Sequence, residues 1–110
     1  MEKISVIITC FNREEYISLS IESVLSSDFN EFELIIVDDC STDKSWEIIK
    51  KYSEIDDRII AHRNNVNLGD YKNRNFAVTL CSTELIKFVD SDDEIYHYSL
   101  KVFYDSFLKY

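Results

Sequence analysis

Residues 32–39 read Phe32-Glu-Leu-Ile-Ile-Val-Asp-Asp39, a largely apolar, β-branched run closed by two carboxylates. Apolar side chains on consecutive positions suit a strand covered on both faces, the mark of a parallel sheet and not of a half-exposed antiparallel one. Working outward, Ile4 to Thr9 has the same character, Ile59 to His62 repeats it more weakly, and Leu85 to Val89 supplies a fourth strand. Segments of helical period separate them. Asn12-Arg-Glu-Glu15 reads as an N-cap with an acid three residues on, followed by Ile17, Ile21, Val24 and Leu25 on one face. Asp43, or Thr42 beside it, caps a second helix carrying Trp46, Ile48 and Ile49, with Trp46 read as core packing. Asn73, Ala77 and Leu80 mark a third helix flanked by Phe76 and Val78, and a last one starts at Ser99 and presents Leu100, Phe103, Tyr104 and Phe107. This alternation predicts an α/β fold, a parallel central sheet with helices on both faces. No repeat, low-complexity segment or linker interrupts it, so residues 1–110 are expected to form a single domain.

Composition narrows the function. With 45% apolar residues the chain has material for a core. Its 21 acidic and 12 basic residues give a net charge of −9, which would repel a polyphosphate duplex, so nucleic acid is excluded as a ligand. Neither a GxGxxG fingerprint nor a P-loop can be written with the single glycine, Gly69, which removes dinucleotide dehydrogenases and P-loop NTPases. Cys10, Cys40 and Cys81 are odd in number and form no CxxC pair, fitting reduced cytosolic thiols better than a disulfide framework or a zinc site. No leader opens the chain and no apolar run is long enough to span a bilayer, so a cytoplasmic location is expected, with the inner face of the membrane reached through partners.

In open parallel sheets ligands bind outside the carboxyl ends of the strands, and the polar clusters fall there: Thr9 to Asn12, Asp38-Asp39, and Asp90 to Asp93. Ser41, Thr42 and Asp43 read as turn and cap residues. One cap needs only one Asp, so at least one of Asp38 and Asp39 is free to accept a hydrogen bond from a nucleobase imide or a ribose hydroxyl. The stretch Asp90-Ser-Asp-Asp93 crowds three carboxylates into four residues. Close pairs repel at about 4 kcal/mol at an effective dielectric near 20, and a divalent cation would relieve that while allowing an acidic protein to hold a diphosphate. First and third carboxylates can converge on one Mg2+ or Mn2+, which is commonly held by one or two carboxylates plus phosphate oxygens. Gly69 calls for a positive φ or a close backbone approach, and Lys72 and Arg74 near a helix start suit a phosphate or ribose as well as they suit a solvated face. His62 and His97 lack metal-ligand spacing and read as ordinary histidines.

The segments SVIITCFN, SIESVL, ELIIVDDCSTD, NVNLGDYKNRN and KFVDSDD, in that order, resemble the nucleotide-binding half of a family 2 glycosyltransferase with the Rossmann-like GT-A fold, over nearly the whole chain. The resemblance implies that Thr9 and Phe11 line the base pocket, that Asp39 with Asp38 beside it meets the uracil of a UDP-sugar, and that Arg74 lies near the donor's phosphate or ribose. It places Asp90 on ribose or sugar, and Asp92 with Asp93 on the Mn2+ or Mg2+ that bridges the two phosphates. The implied reaction is metal-dependent transfer of a sugar, with inversion, to the hydroxyl of a carbohydrate or lipid-linked acceptor in polysaccharide biosynthesis. Membrane-associated partners are a further implication.

Three departures from the family pattern stand out: Cys40 where glycine is usual, Asn73 and Ala77 in place of alanine and glycine around the Arg-Asn pair, and no proline after the acidic motif. The family's general base lies well beyond the acidic triplet, so the chain is expected to be the N-terminal part of a larger enzyme, to supply the donor and metal site, and to transfer little alone. Phe103, Tyr104, Phe107, Leu108 and Tyr110 would then pack on the remainder, or drive self-association without it. Two other readings compete. A catalytically silent sugar-nucleotide binding module has the same residues, and a receiver-like phosphoacceptor signalling domain has a similar size and acids after strands, although its acid pair follows the first strand and not the second.

Overall fold

Strand β2, Phe32–Asp38, is buried along its whole length in the computed structural model, which describes residues 4–92, 94–96 and 98–109. Asp93, His97 and Tyr110, which figure in the sequence reading, lie outside the described residues. β2 pairs in parallel with β1 (Ile4–Cys10) and β3 (Ile59–Arg63), and β1 pairs in parallel with β4 (Ile86–Asp90), giving the order β3-β2-β1-β4. The consecutive apolar residues of the two central strands serve two cores, because alternate side chains leave a strand on opposite faces. Val6, Ile8, Leu34 and Ile36 pack with Ile17, Ile21 and Val24 of α1 (Ile17–Leu25), Ile49 of α2 (Ser45–Ile55) and Leu100 of α4 (Ser99–Lys109). Ile7, Ile35 and Val37 face the other way, onto Ala77, Phe76 and Leu80 of α3 (Asp70–Thr79) and the turn that follows it. The predicted parallel sheet with helices on both faces is the observed one.

The topology creates the site. From β1 the chain steps outward to β2 and β3, and α3 then carries it back across the sheet to β4 on the far side of β1. Such a reversal of strand order opens a crevice at the carboxyl ends of the two strands that diverge, here β1 and β4.

At the opposite edge the sheet is sealed by polar pairs that the sequence reading did not anticipate. Glu33 is buried, and its carboxylate accepts the Ser5 hydroxyl at 2.5 Å, the Ser82 N–H at 2.6 Å and the Ser82 hydroxyl at 2.7 Å. Burial alone would raise its pKa, but these hydrogen bonds outweigh the desolvation and hold it below its ordinary value. Beside it Arg58 forks onto Asp56, with contacts of 3.1 and 2.8 Å, and its guanidinium lies 4.5 Å from the centre of the Phe32 ring. That pair ties the α2–β3 turn to the sheet.

Three helix expectations are corrected. Asn12 does not cap α1, which starts only at Ile17; at φ +52° it turns its side chain onto the next loop, where its Oδ1 accepts the N–H groups of Thr42 and Asp43. In α4, Leu100 is buried and Phe103 and Tyr104 pack on the first core, but Phe107 is 53% exposed and does not extend that face. Neither Thr42 nor Asp43 is the N-cap of α2, which is Lys44; Asp43, one residue earlier, accepts the Ser45 N–H at 2.9 Å.

Candidate functional site

The crevice between β1 and β4 holds a cavity of about 470 Å³. β1 and its loop bring Thr9, Phe11 and Arg13; the end of β2 brings Asp39; β4 and the turn after it bring Asp90, Ser91 and Asp92. Register explains the convergence: Thr9 stands opposite both Val37 and Asp90, so the three strands end at one level.

The two adjacent acids of β2 part company because successive residues point to opposite faces. Asp38 is fully buried, and its carboxylate accepts the Ser41 N–H at 2.9 Å and the Ser41 hydroxyl at 2.5 Å, with Arg63 at 3.8 Å. It closes the β2–α2 turn and does not line the cavity, so the expected ligand role for Asp38 meets a side chain already occupied by structure. Asp39 points into the cavity wall. Its Oδ1 accepts the Leu68 N–H at 2.7 Å and the Asn64 amide at 3.0 Å, and its Oδ2 accepts the Gly69 N–H at 2.9 Å. A carboxylate offers about four acceptor sites, so one remains.

Asparagines hold Asp39 there. Asn64 Nδ2 also donates to Asn73 Oδ1 at 2.7 Å, Asn73 Nδ2 reaches the Val37 carbonyl at 3.4 Å, and Asn67 Nδ2 donates to the Asp39 carbonyl at 3.1 Å. Gly69 sits at φ +87°, and a Cβ there would meet nothing within 4 Å, so glycine is required for its dihedral and not for space. The Leu68 and Gly69 N–H groups, in the loop just before α3, are turned onto Asp39. The sequence reading leaves a ligand loop and a plain turn with a solvated helix face equally open for this stretch; Asn67, Gly69, Asp70 and Asn73 line the cavity, and its asparagines brace Asp39. The clustering of Asn64, Asn67 and Asn73 behind a strand-end acid was the signal available.

Asp90 and Asp92 are exposed, and among the described residues neither carboxylate has a hydrogen-bond or ion-pair partner. Among those residues no three acidic, cysteine or histidine side chains converge closely enough to hold a metal ion. Arg74 stands beside the cavity and not in its lining: its guanidinium lies 4.6 Å from the Phe88 ring centre and 3.9 Å from Asp70. Cys10, at the cavity floor, is pushed up to about 12 chiefly by burial, against the Ser45 hydrogen bond that lowers it, and stays a thiol at neutral pH. All three cysteines are free.

A second hollow of about 490 Å³ adjoins the first, shares Arg13 and Asp92 with it, and is otherwise lined by Asn12, Glu14, Glu15, Tyr16 and Asp43. Its walls are clamped. The N–H groups of Asn12, Arg13 and Glu14 donate to Ser41 Oγ at 2.9 Å, Ser45 Oγ at 2.9 Å and Asp43 Oδ2 at 3.2 Å. Among the described residues no helix is long and apolar enough to cross a membrane.

A family model described as glycosyl transferase family 2 matches residues 5–110. The UDP-Glc:alpha-D-GlcNAc-diphosphoundecaprenol beta-1,3-glucosyltransferase WfaP of Escherichia coli is 42% identical over 93 residues, 84% of this chain and 36% of its own. The poly(ribitol-phosphate) beta-N-acetylglucosaminyltransferase TarS of Staphylococcus aureus is 39% identical over 103 residues, 92% of this chain and 18% of its own. A crystal structure of S. aureus TarS 1-349 in complex with UDP-GlcNAc superimposes with a TM-score of 0.87 at 37% identity, covering 97% of this chain and 31% of that one. The chain thus spans about a third or less of the length of the curated relatives it matches.

Proposed function

The chain belongs to glycosyl transferase family 2, and from that premise we propose that it forms the donor-binding part of a larger enzyme that moves a sugar from a UDP-sugar to an acceptor hydroxyl with inversion. The observation that carries this reading is the meeting of Asp39, Asp90 and Asp92, delivered by two separate strands, on one cavity at the carboxyl edge of the sheet. The name of WfaP and the TarS complex with UDP-GlcNAc support a UDP-sugar donor, and the names of WfaP and TarS support a lipid-linked or polymeric acceptor. In this reading Thr9 and Phe11 flank the base, the remaining acceptor site of Asp39 takes the imide N–H of uracil, and Asp90 takes a ribose or sugar hydroxyl. Asp38 and Arg74 act as supports for the rim.

The donor set fits a hard divalent cation of the kind that keeps few protein ligands. Asp90 and Asp92 offer unpartnered carboxylates, and the shortage of a third protein ligand among the described residues matches Mg2+ or Mn2+ completed by the donor's phosphate oxygens. Asp92 is the residue proposed to hold it, together with Asp93. When bound, such an ion supplies Lewis-acid stabilisation of the charge that builds on the departing diphosphate. The chain's own residues bind the base, orient the ribose and keep Asp39 fixed through Asn64 and Asn73. The general base is assigned to sequence outside this chain.

Calorimetric titration of UDP, GDP, CDP and ADP, each with Mn2+, Mg2+ or EDTA, tests the proposal. Tightest binding of UDP, strengthened by the metal, is expected. Equal affinity for all four bases removes the uracil assignment, and unchanged UDP affinity in EDTA removes the metal.

A further inference from the structure

Apart from Arg13, the charged groups that line the two adjoining hollows are acids: Asp39, Asp70, Asp90 and Asp92 around the first, Glu14, Glu15 and Asp43 added by the second. Among the described residues that line them, Arg13 is the one cation. It stands where the hollows meet, beside Asp92, which also lines both. We propose that Arg13 is a diphosphate contact, placing its guanidinium on the phosphate oxygens of the donor at the junction of the two hollows.

Three features of the structure support this. Charge comes first: a diphosphate entering a ring of carboxylates meets repulsion from every other ionised group that lines the hollows, so the lone guanidinium there carries disproportionate weight. A planar guanidinium also matches phosphate oxygens bidentately, which a flexible ammonium does not.

Preorganisation is the second. The backbone N–H of Arg13 is held by Ser45 Oγ at 2.9 Å, and its neighbours are fixed by Ser41 and Asp43. Asn12, in left-handed backbone at φ +52°, is locked by the Thr42 and Asp43 N–H groups. Among the described residues the side chain is steadied at one nitrogen alone, where NH1 donates to the carbonyls of Phe11 and Asn12 at 3.2 Å each. Nε and the other terminal nitrogen are left to a ligand. A cation held on a rigid loop loses less conformational freedom on binding than one on a mobile loop.

The third is the absence of a competing structural role. Arg13 is exposed and makes no ion pair among the described residues, although seven acids line the same hollows. Arg58, Arg63 and Arg74, by contrast, are each engaged with an aspartate.

The assignment rests on the nucleotide reading above, and its test separates the two. Uridine, UMP and UDP are titrated into the 110-residue chain and into Arg13→Gln and Arg13→Lys, in EDTA and in Mg2+, with thermal unfolding of each variant alongside. The wild type is expected to bind UDP more tightly than uridine even in EDTA. Arg13→Gln should lose at least about tenfold in UDP affinity, as expected for removal of a charge-assisted hydrogen bond, and leave uridine unchanged. Arg13→Lys should fall between, keeping the charge without the fork. Added salt should weaken UDP binding by the wild type more than uridine binding, which tests the same contact without any substitution. UDP affinity retained within twofold by Arg13→Gln overturns the assignment and leaves the nucleotide reading standing. A wild type that binds uridine and UDP equally in EDTA does the same. A wild type that binds neither overturns both.

Discussion

At one edge of the sheet Glu33 lies buried with both carboxylate oxygens hydrogen-bonded, to Ser5 and Ser82, and Asp56 is forked by Arg58. At the other edge Asp90 and Asp92 face a cavity with no carboxylate partner among the described residues, and Asp39 is braced by three donors yet keeps an acceptor site open. The residues are of one chemical class and lie at the two ends of one sheet. What differs is whether the fold supplies the donors. A buried carboxylate with all its needs met locally is a structural part, because leaving it unmet would cost several kcal/mol. In the proposed donor site, the unpartnered carboxylates at the cavity find their compensation in a bound cation and nucleotide.

The strongest way to break the comparison is Glu33→Ala. It strips the buried Ser5 hydroxyl, and the more exposed Ser82 N–H and hydroxyl, of their acceptor, and a loss of about 2 kcal/mol in unfolding free energy is expected from urea or thermal denaturation. A loss under about 1 kcal/mol would mean that the closed edge is not closed. The matching change at the open edge, Asp92→Asn, should do the reverse. Stability should stay within about 0.5 kcal/mol of wild type or rise slightly as like-charge crowding is relieved. UDP affinity in Mg2+ should fall at least about tenfold, while affinity in EDTA stays near the wild-type value. A variant that melts markedly lower would put Asp92 on the structural side of the division.

Acid titration sharpens the same contrast. Because the folded-state pKa of Glu33 lies below its ordinary value, its ionised form is the one folding favours. That stability is complete above the unfolded carboxylate range, near pH 4.3, and is lost as pH falls through the lower folded value. Asp43 and Asp56 act in the same sense. At Asp43 burial opposes, but the Ser45 and Glu14 hydrogen bonds prevail; at Asp56 the Arg58 hydrogen bond leads. Unfolding free energy measured from pH 6 to pH 2 should drop below about pH 4, and Glu33→Gln should flatten part of that drop while starting lower at pH 6.

These contrasts also separate what the sequence could disclose from what it could not. Ile4 to Thr9 and Phe32 to Val37 announce buried parallel strands because both faces of each are apolar, and strand direction then dictates which polar clusters share an edge. Thr9, Asp39, Asp90 and Asp92 were legible at the cavity for that reason. Side-chain pairing was not. Asp38 and Asp39 look alike in the sequence, and only the alternation at the end of β2 sends one to Ser41 and the other to the cavity. Asn12, Glu14 and Arg13 read as a helix start, because the long-range bonds to Ser41, Asp43 and Ser45 leave no local pattern. Glu33 was invisible since its partners lie 28 and 49 residues away.

The smallest effect concerns the backbone. Among the described residues the positive φ values fall at Asn12, Cys40 and Gly69, one in each loop that follows β1, β2 and β3 at the site edge, and none falls at the sealed edge. Asparagine tolerates this conformation and glycine favours it, but cysteine carries a Cβ penalty of about 1 kcal/mol or more. Cys40, at φ +62°, thus occupies a position where the glycine usual in the family would be unstrained. Its thiol gives little in return, a contact of 3.7 Å to the Asn65 carbonyl. Cys40→Gly removes the penalty but gives the unfolded chain more freedom, which offsets part of the gain. A net stabilisation of about 0.5 kcal/mol is expected, readable as a rise of about 2–4 °C in melting temperature. Nucleotide affinity should stay unchanged, since Asp39 is held by Asn64, Leu68 and Gly69 and not by Cys40. A rise in stability accompanied by weaker binding would instead show that the strained loop helps to keep the cavity open.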